Sequence, residues 1–272
     1  MEQSRFIKFW DGILPFLIAY AFAQLLIIGM VTAFEGHHTM IIQNVIQTGM
    51  ILPMGIWIKK NSVKQDFQEG NQHPIRLILC IFMSAALFSM ALNQIIDALQ
   101  IKELSGEYAK VSDALFSPGK FQIILCVGIL APVFEEVLYR GILFGALRKR
   151  FSYLASAMIS SIVFGALHMN LIQFIYAAAM GYIFAYFYEK TRKLLFPILA
   201  HVFANGISLI MTFTGFSNWI FSKPLLSLML AFLEGLLGAA FLVWFGKTHN
   251  SKKKIKSLKN KKMSNQEKKR EK

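Results

Sequence analysis

The chain has 272 residues, of which 55% are hydrophobic and 16% charged, with mean hydropathy +0.49. A soluble domain carries about 25% charged residues, so this composition excludes a disordered chain and argues against a soluble enzyme. The net charge of +14 suggests a nucleic-acid binder until its distribution is counted: residues 247–272 hold twelve Lys/Arg and two Glu, which puts +10 in the tail and +4 in the other 246 residues. A basic tail on an apolar body points to anionic lipid as the tail's partner and to no nucleic acid.

A membrane-spanning helix needs about 20 mostly apolar residues. Eight segments qualify or come close: 12–34, 40–58, 75–97, 120–147, 152–168, 171–189, 195–214 and 225–246. The predicted fold class is therefore all-α, a polytopic membrane protein of about eight transmembrane helices. The first segment lacks a small-residue cleavage site and reads as an uncleaved helix, not a signal peptide. Segments 152–168 and 171–189 are short and nearly touch. They predict a tight hairpin whose tip, His168-Met169-Asn170, stops short of the far surface. Two domains follow: a membrane domain at 1–246 with a motif core at about 120–210, and a basic tail at 247–272, expected to be disordered.

Loop charge predicts orientation. Arg5, Lys8, Lys59, Lys60, Lys64, Arg76, Arg148, Lys149, Arg150, Lys190, Arg192, Lys193 and the tail place 24 basic residues on one side, against Lys102, Lys110, Lys120 and Lys223 on the other. Lys/Arg-rich loops are cytoplasmic, so both termini are expected there, in a cell-membrane protein. Lys outnumbers Arg by 22 to 7, which hints at a low-GC bacterial source. Cys80 and Cys126 lie in apolar runs and supply no disulfide framework.

Polar residues inside membrane helices are costly and each needs a reason. Glu135, Glu136 and Arg140 lie together in the fourth segment. Glu136 and Arg140 are four apart with the acid first, the favoured order for a same-face pair, which leaves Glu135 without a local counter-ion. Pro132 just before them weakens the helix. A second polar group, Phe164 to His168, ends the fifth segment, where Gly165 permits close packing. A third, His201 and Asn205, shares one face of the seventh. Taken singly, an ion pair that orients helices, a packing histidine and an interhelical hydrogen bond explain each group as well as chemistry does.

The ordered set is more specific. EExxxR, FxxxH and HxxxN in successive helices resemble the CPBP family of intramembrane proteases, also called the CAAX-protease or Abi family. The resemblance implies that Glu135 and His168 activate water, that His201 and Asn205 hold the oxyanion, and that Glu136 and Arg140 organise the site. Amide hydrolysis needs such a base, a proton donor and oxyanion donors. The implied protein is an intramembrane endopeptidase acting on a membrane protein or peptide, in CAAX-type processing, peptide maturation or bacteriocin self-immunity. Two His and a Glu could also bind zinc, with His168 and His201 as ligands. HExxH is absent, so the favoured reading needs no cofactor. A non-proteolytic immunity or scaffolding protein and a proton-coupled transporter are the rivals.

By residue counting His201 lies shallower than Glu135 and His168, so the loop before it is expected to dip inward. Gln43 with Gln47, and Asn93 with Asp97, form polar stripes expected to meet as interhelical glue. Glu234 in the eighth segment has no assignable partner. His37, His38, His73 and His249 read as solvated.

Overall fold

The computed structural model describes residues 2–34, 39–61, 74–101 and 119–270. His37, His38, His73, Lys64 and most of the loop between the third and fourth segments lie outside them.

The described chain is built of helices: α1 (Glu2–Ala33), α2 (Thr39–Asn61), α3 (Pro74–Ala98), α4 (Lys120–Leu147), α5 (Tyr153–Ala166), α6 (Leu171–Thr191), α7 (Leu195–Phe213), α8 (Phe216–Phe221) and α9 (Pro224–Arg270). The protein is an all-α polytopic membrane protein. All eight apolar segments are helical, and among the described residues seven helices are long and apolar enough to cross a membrane. The eighth, α5, has 14 residues, about 21 Å at the helical rise against a hydrocarbon core of about 30 Å. At that length α5 is shorter than a full span, in keeping with the short segment in the sequence. The small helix α8 was not anticipated.

Two apolar clusters build much of the core. In the first, Phe16 and Ala23 of α1, Met50 and Met54 of α2, and Phe134, Leu138 and Tyr139 of α4 pack together. In the second, Cys80 and Ile81 of α3 pack with Phe184 and Phe187 of α6, Ala200 and Ala204 of α7, and Phe245 of α9. Both cysteines are free and buried. Large apolar side chains on the outside, such as Leu25, Leu52, Phe232 and Leu236, are what a bundle exposes to lipid.

The α5–α6 hairpin closes because Gly165 carries no side chain: a Cβ there would stand 2.6 Å from the Phe174 carbonyl oxygen and 3.1 Å from Ala178 Cβ. Each arm is capped by its own sequence. Ser152 Oγ accepts from Ala155 N at 3.3 Å and Asn170 Oδ1 accepts from Gln173 N at 2.8 Å, satisfying N–H groups that a helix start leaves free.

At the opposite end of the hairpin, Arg148 donates through Nε and Nη2 to both Glu189 oxygens, each at 3.0 Å, and Arg192 Nη2 reaches Glu189 Oε2 at 2.7 Å. The two basic loops after α4 and α6 therefore share one end of the bundle, as the alternation of loop charge requires. In the α6–α7 connection the Leu194 side chain lies against Gly141 of α4.

The polar stripes behave differently from expectation. Asn93 does not reach towards α2; its Nδ2 donates to Ser208 Oγ of α7 at 3.2 Å. Ser89 joins this group, 2.7 Å from Tyr176 Oη and 3.0 Å from Ser208 Oγ. Glu234 gains a partner that spacing could not name, Gln94 of α3, whose Nε2 donates to Glu234 Oε2 at 2.7 Å. The helix α9 also runs on to Arg270, through the tail that composition reads as disordered. No Pro or Gly interrupts residues 247–270, and Lys, Glu and Gln are good helix formers.

Candidate active site

The site begins with an irregular helix. Within α4, residues Cys126–Leu130 and Val137–Phe144 wind as π-helix. Ala131 N bonds back to Cys126 O and Gly145 N to Arg140 O, five residues instead of four. Such widened turns occur mostly at functional positions. Here they flank the two glutamates.

Glu136 and Arg140 form the predicted pair, with Arg140 Nη1 3.0 Å from Glu136 Oε1 and both side chains 0% exposed. Arg140 has further anchors. Its Nη2 donates to Gly181 O at 3.0 Å, and its guanidinium carbon lies 4.7 Å from the Phe164 ring centre and 5.5 Å from that of Phe184. A carboxylate, a carbonyl dipole and two aromatic faces take the place of water around this buried cation.

His201 of α7 meets both glutamates. Its Nδ1 is 2.9 Å from Glu136 Oε1, and its Nε2 is 3.6 Å from Glu135 Oε2. The ring stacks on Phe184, with centres 4.7 Å apart and planes at 24°. Glu136 Oε1 already accepts from Arg140 Nη1, so Nδ1 is the donor to the same oxygen. Nε2 and the Glu135 oxygen then face each other.

The adjacent glutamates occupy unlike settings. Glu136 is sealed by Arg140 and His201, whereas the Glu135 side chain is 21% exposed. His168 lies beyond the end of α5, half-buried. Its Nδ1 is 2.8 Å from the Phe164 carbonyl, which can only accept. Nδ1 therefore carries the hydrogen and Nε2 keeps its lone pair. Asn170 Nδ2 donates to the His168 carbonyl at 3.3 Å while Met169 takes a left-handed turn at φ 60°. Asn205 Nδ2 donates to Val127 O at 2.9 Å.

Glu135, Glu136, Arg140 and His201 thus form one connected group. His168 joins it through Phe164, whose ring centre is 5.0 Å from that of His168 and 5.8 Å from that of His201. Among the described residues Glu135 and His168 share no direct hydrogen bond, and Asn205 is tied to backbone one turn beyond His201. Phe184 and Gly181 are site residues that the sequence did not announce, since neither has chemistry of its own. A metal needs converging ligands, yet among the described residues no three His, Cys, Asp or Glu side chains gather closely enough to hold one.

Gly181 supplies a test of this packing. A Cβ on it would stand 2.9 Å from Arg140 Nη2, 3.1 Å from Phe164 Cδ1 and 3.3 Å from Ser161 Cβ. Gly181→Ala should lower stability by about 1–3 kcal/mol, the usual cost of overfilling a packed interior. Gly206→Ala is the control, because nothing lies within 4 Å of its added carbon. Thermal unfolding in detergent should separate the two variants.

The segment that carries this site is similar to known proteins. Residues 117–207 match the family model for type II CAAX prenyl endopeptidase Rce1-like proteins. The resemblance read from the three motifs is borne out over this segment. The chain is 34% identical over 98 residues to "Putative membrane peptidase YdiL" of Bacillus subtilis, covering 36% of this chain and 40% of that protein. It is 29% identical over 93 residues to "Membrane-embedded CAAX protease MroQ" of Staphylococcus aureus, covering 32% of this chain and 38% of that protein. The chain thus spans about two-fifths of the length of these relatives in the matched alignments. No solved structure matches. All three motifs lie inside the matched segment, which ends two residues after Asn205.

Proposed function

We propose that the protein is a membrane-embedded endopeptidase that hydrolyses a peptide bond of a membrane-associated protein or peptide. One observation carries this reading: of two adjacent intramembrane glutamates, one holds both Arg140 and His201 on its Oε1 with its side chain 0% exposed, while the side chain of the other is 21% exposed. An ion pair that only orients helices accounts for Glu136 and leaves Glu135 unexplained. The family match and the names of the two relatives support the same reaction class.

In the proposed reaction Glu135 accepts a proton from water as the oxygen attacks the scissile carbonyl. His168, with its free Nε2, is the second group that orients this water. His201, fixed through Nδ1, and Asn205, fixed through one amide hydrogen, direct their remaining donors at the oxyanion. The proton taken up at Glu135 passes to the departing amine. Glu136 and Arg140 hold His201 in place throughout. Peptide maturation, CAAX-type processing and bacteriocin self-immunity are the physiological settings this chemistry suits.

Comparative peptidomics of membranes and medium tests the reading, with wild type set against Glu135→Gln at equal expression. Peptides released by wild type and absent from the variant are expected. Identical peptide sets would sink the peptidase and leave a binding or scaffolding protein. The proposed chemistry uses no cofactor, so hydrolysis by purified protein should survive exhaustive chelation. Chelator inactivation reversed by zinc would instead assign His168 and His201 as ligands.

The Arg148–Glu189–Arg192 end and both termini are proposed to face the cytoplasm, with the tail against anionic lipid. Each Lys or Arg near such a surface is worth about 1 kcal/mol within a Debye length. A reporter fused to residues 247–272 should bind anionic vesicles and release them at high salt. Equal binding to neutral vesicles would refute this.

A further inference from the structure

The Asn205 amide is held by a carbonyl whose availability needs an explanation. A backbone C=O inside a membrane helix is almost always paired with a backbone N–H. Val127 is in the first π-helical stretch of α4, where Ala131 N reaches past it to Cys126 O. The next N–H along, bonding five residues back in the same pattern, would close on Val127 O. That next residue is Pro132, which has no N–H. The Val127 carbonyl is therefore left without a backbone donor, and Asn205 Nδ2 occupies it at 2.9 Å.

We infer that Pro132 is a positioning residue for Asn205: by withholding one backbone hydrogen bond it leaves the Val127 carbonyl as the anchor that fixes the Asn205 side chain. Three features agree with this. Pro132 is buried and stands three residues before Glu135. The widened turn gives its ring room, since a proline in a regular α-helix clashes with the carbonyl four residues back. Asn205 follows His201 by four residues on the same face of α7, so the anchor also sets that face's rotation against α4. The catalytic consequence rests on the proposed peptidase chemistry; the contact does not.

Restoring the N–H should undo the arrangement whichever way the helix repairs. If residue 132 bonds five back, its N–H takes Val127 O directly. If the segment returns to regular α-helix, Ala131 N takes Val127 O. Either way Asn205 loses its anchor.

A melting cycle in detergent reads this without any assay of activity. Asn205→Ala in the wild-type background strands a part-buried carbonyl and should lower the melting temperature by about 3 °C, the shift expected for a loss of that kind in a chain of this size. In the Pro132→Ala background the same change should cost well under half as much. Pro132→Ala alone should fold at least as stably as wild type, because it gains a backbone bond, and Pro132→Gly should decouple Asn205 in the same way. In 15N-asparagine-labelled protein, the side-chain amide signal that Asn205→Ala removes should move upfield in both proline variants. Additive melting shifts, an unmoved amide signal or failure of both proline variants to fold would overturn the inference.

Activity separates it from the reading beneath it. Glu135-dependent peptides, if released, should fall about ten- to hundredfold in Pro132→Ala at equal abundance, as expected for a misplaced oxyanion donor. Undiminished release would overturn the positioning role. Coupled melting with no Glu135-dependent peptide in any strain would leave the anchor standing and remove the peptidase.

Discussion

Arg140→Ala should leave little folded protein. The guanidinium bridges Glu136 of its own helix and the Gly181 carbonyl of α6, and fills the space between the Phe164 and Phe184 rings. Removing it deserts a carboxylate that is 0% exposed. Breaking one partner of a buried pair typically costs about 3–5 kcal/mol, a large share of a usual margin of about 5–15 kcal/mol. Abundance in membranes and the melting point in detergent should both fall sharply. Arg140→Lys should do little better, since an ammonium lacks the fork whose two nitrogens reach Glu136 and the Gly181 carbonyl separately and has no planar face to lay on a ring. Neutralising both partners should recover part of the loss. Glu136→Gln with Arg140→Met leaves no unpaired charge, so it should accumulate better than Arg140→Ala while remaining inactive. An Arg140→Ala protein with wild-type melting would mean that the pair is solvated and that the description of the core is wrong.

Hydrophobic run length was enough to place the helices, because a segment that must sit in hydrocarbon leaves its signature residue by residue. The Glu136–Arg140 pair was legible for a similar reason: its four-residue spacing lies within one helix. The contact of His201 with both glutamates is another matter. Glu136 and His201 are 65 residues apart in the chain, and only the three-motif resemblance suggested that they meet. Even then the resemblance assigns His168 to Glu135, whereas the imidazole beside Glu135 is that of His201. Phe184 and Gly181 shape the site through ring stacking and the lack of a side chain, and neither leaves a polar signal to find. Pro132 was read as a helix weakener, which it is. Its effect on Asn205 could not be foreseen without the π-helical register of residues 126–130. The polar stripe on α3 was visible, but its partner helix was not: periodicity gives a face, not the neighbour that face meets.

The two glutamates should fail by different routes when neutralised. Glu135→Gln removes the proposed base while keeping size and shape. Its carboxylate is the more exposed of the two, and its close ionic neighbour is His201 Nε2 at 3.6 Å, a contact that an amide can replace with a hydrogen bond. Folding should be close to wild type. Hydrolysis should fall by at least about 100-fold, the lower range for loss of a general base. Glu135→Asp withdraws the carboxylate by one methylene, and should retain measurable hydrolysis if proton transfer is the role. Glu136→Gln leaves Arg140 without its counter-charge in an environment that excludes water, so melting and abundance should drop first. Activity per folded molecule should drop as well, because an amide oxygen is a weaker acceptor for His201 Nδ1 than a carboxylate. Separating the two effects needs activity normalised to folded protein, measured beside melting for each variant. A stable, inactive Glu135→Gln beside an unstable Glu136→Gln is the expected pattern. If both variants melted alike and were equally inactive, the unlike settings of the two carboxylates would not correspond to unlike work, and the assignment of Glu135 as the base would fall.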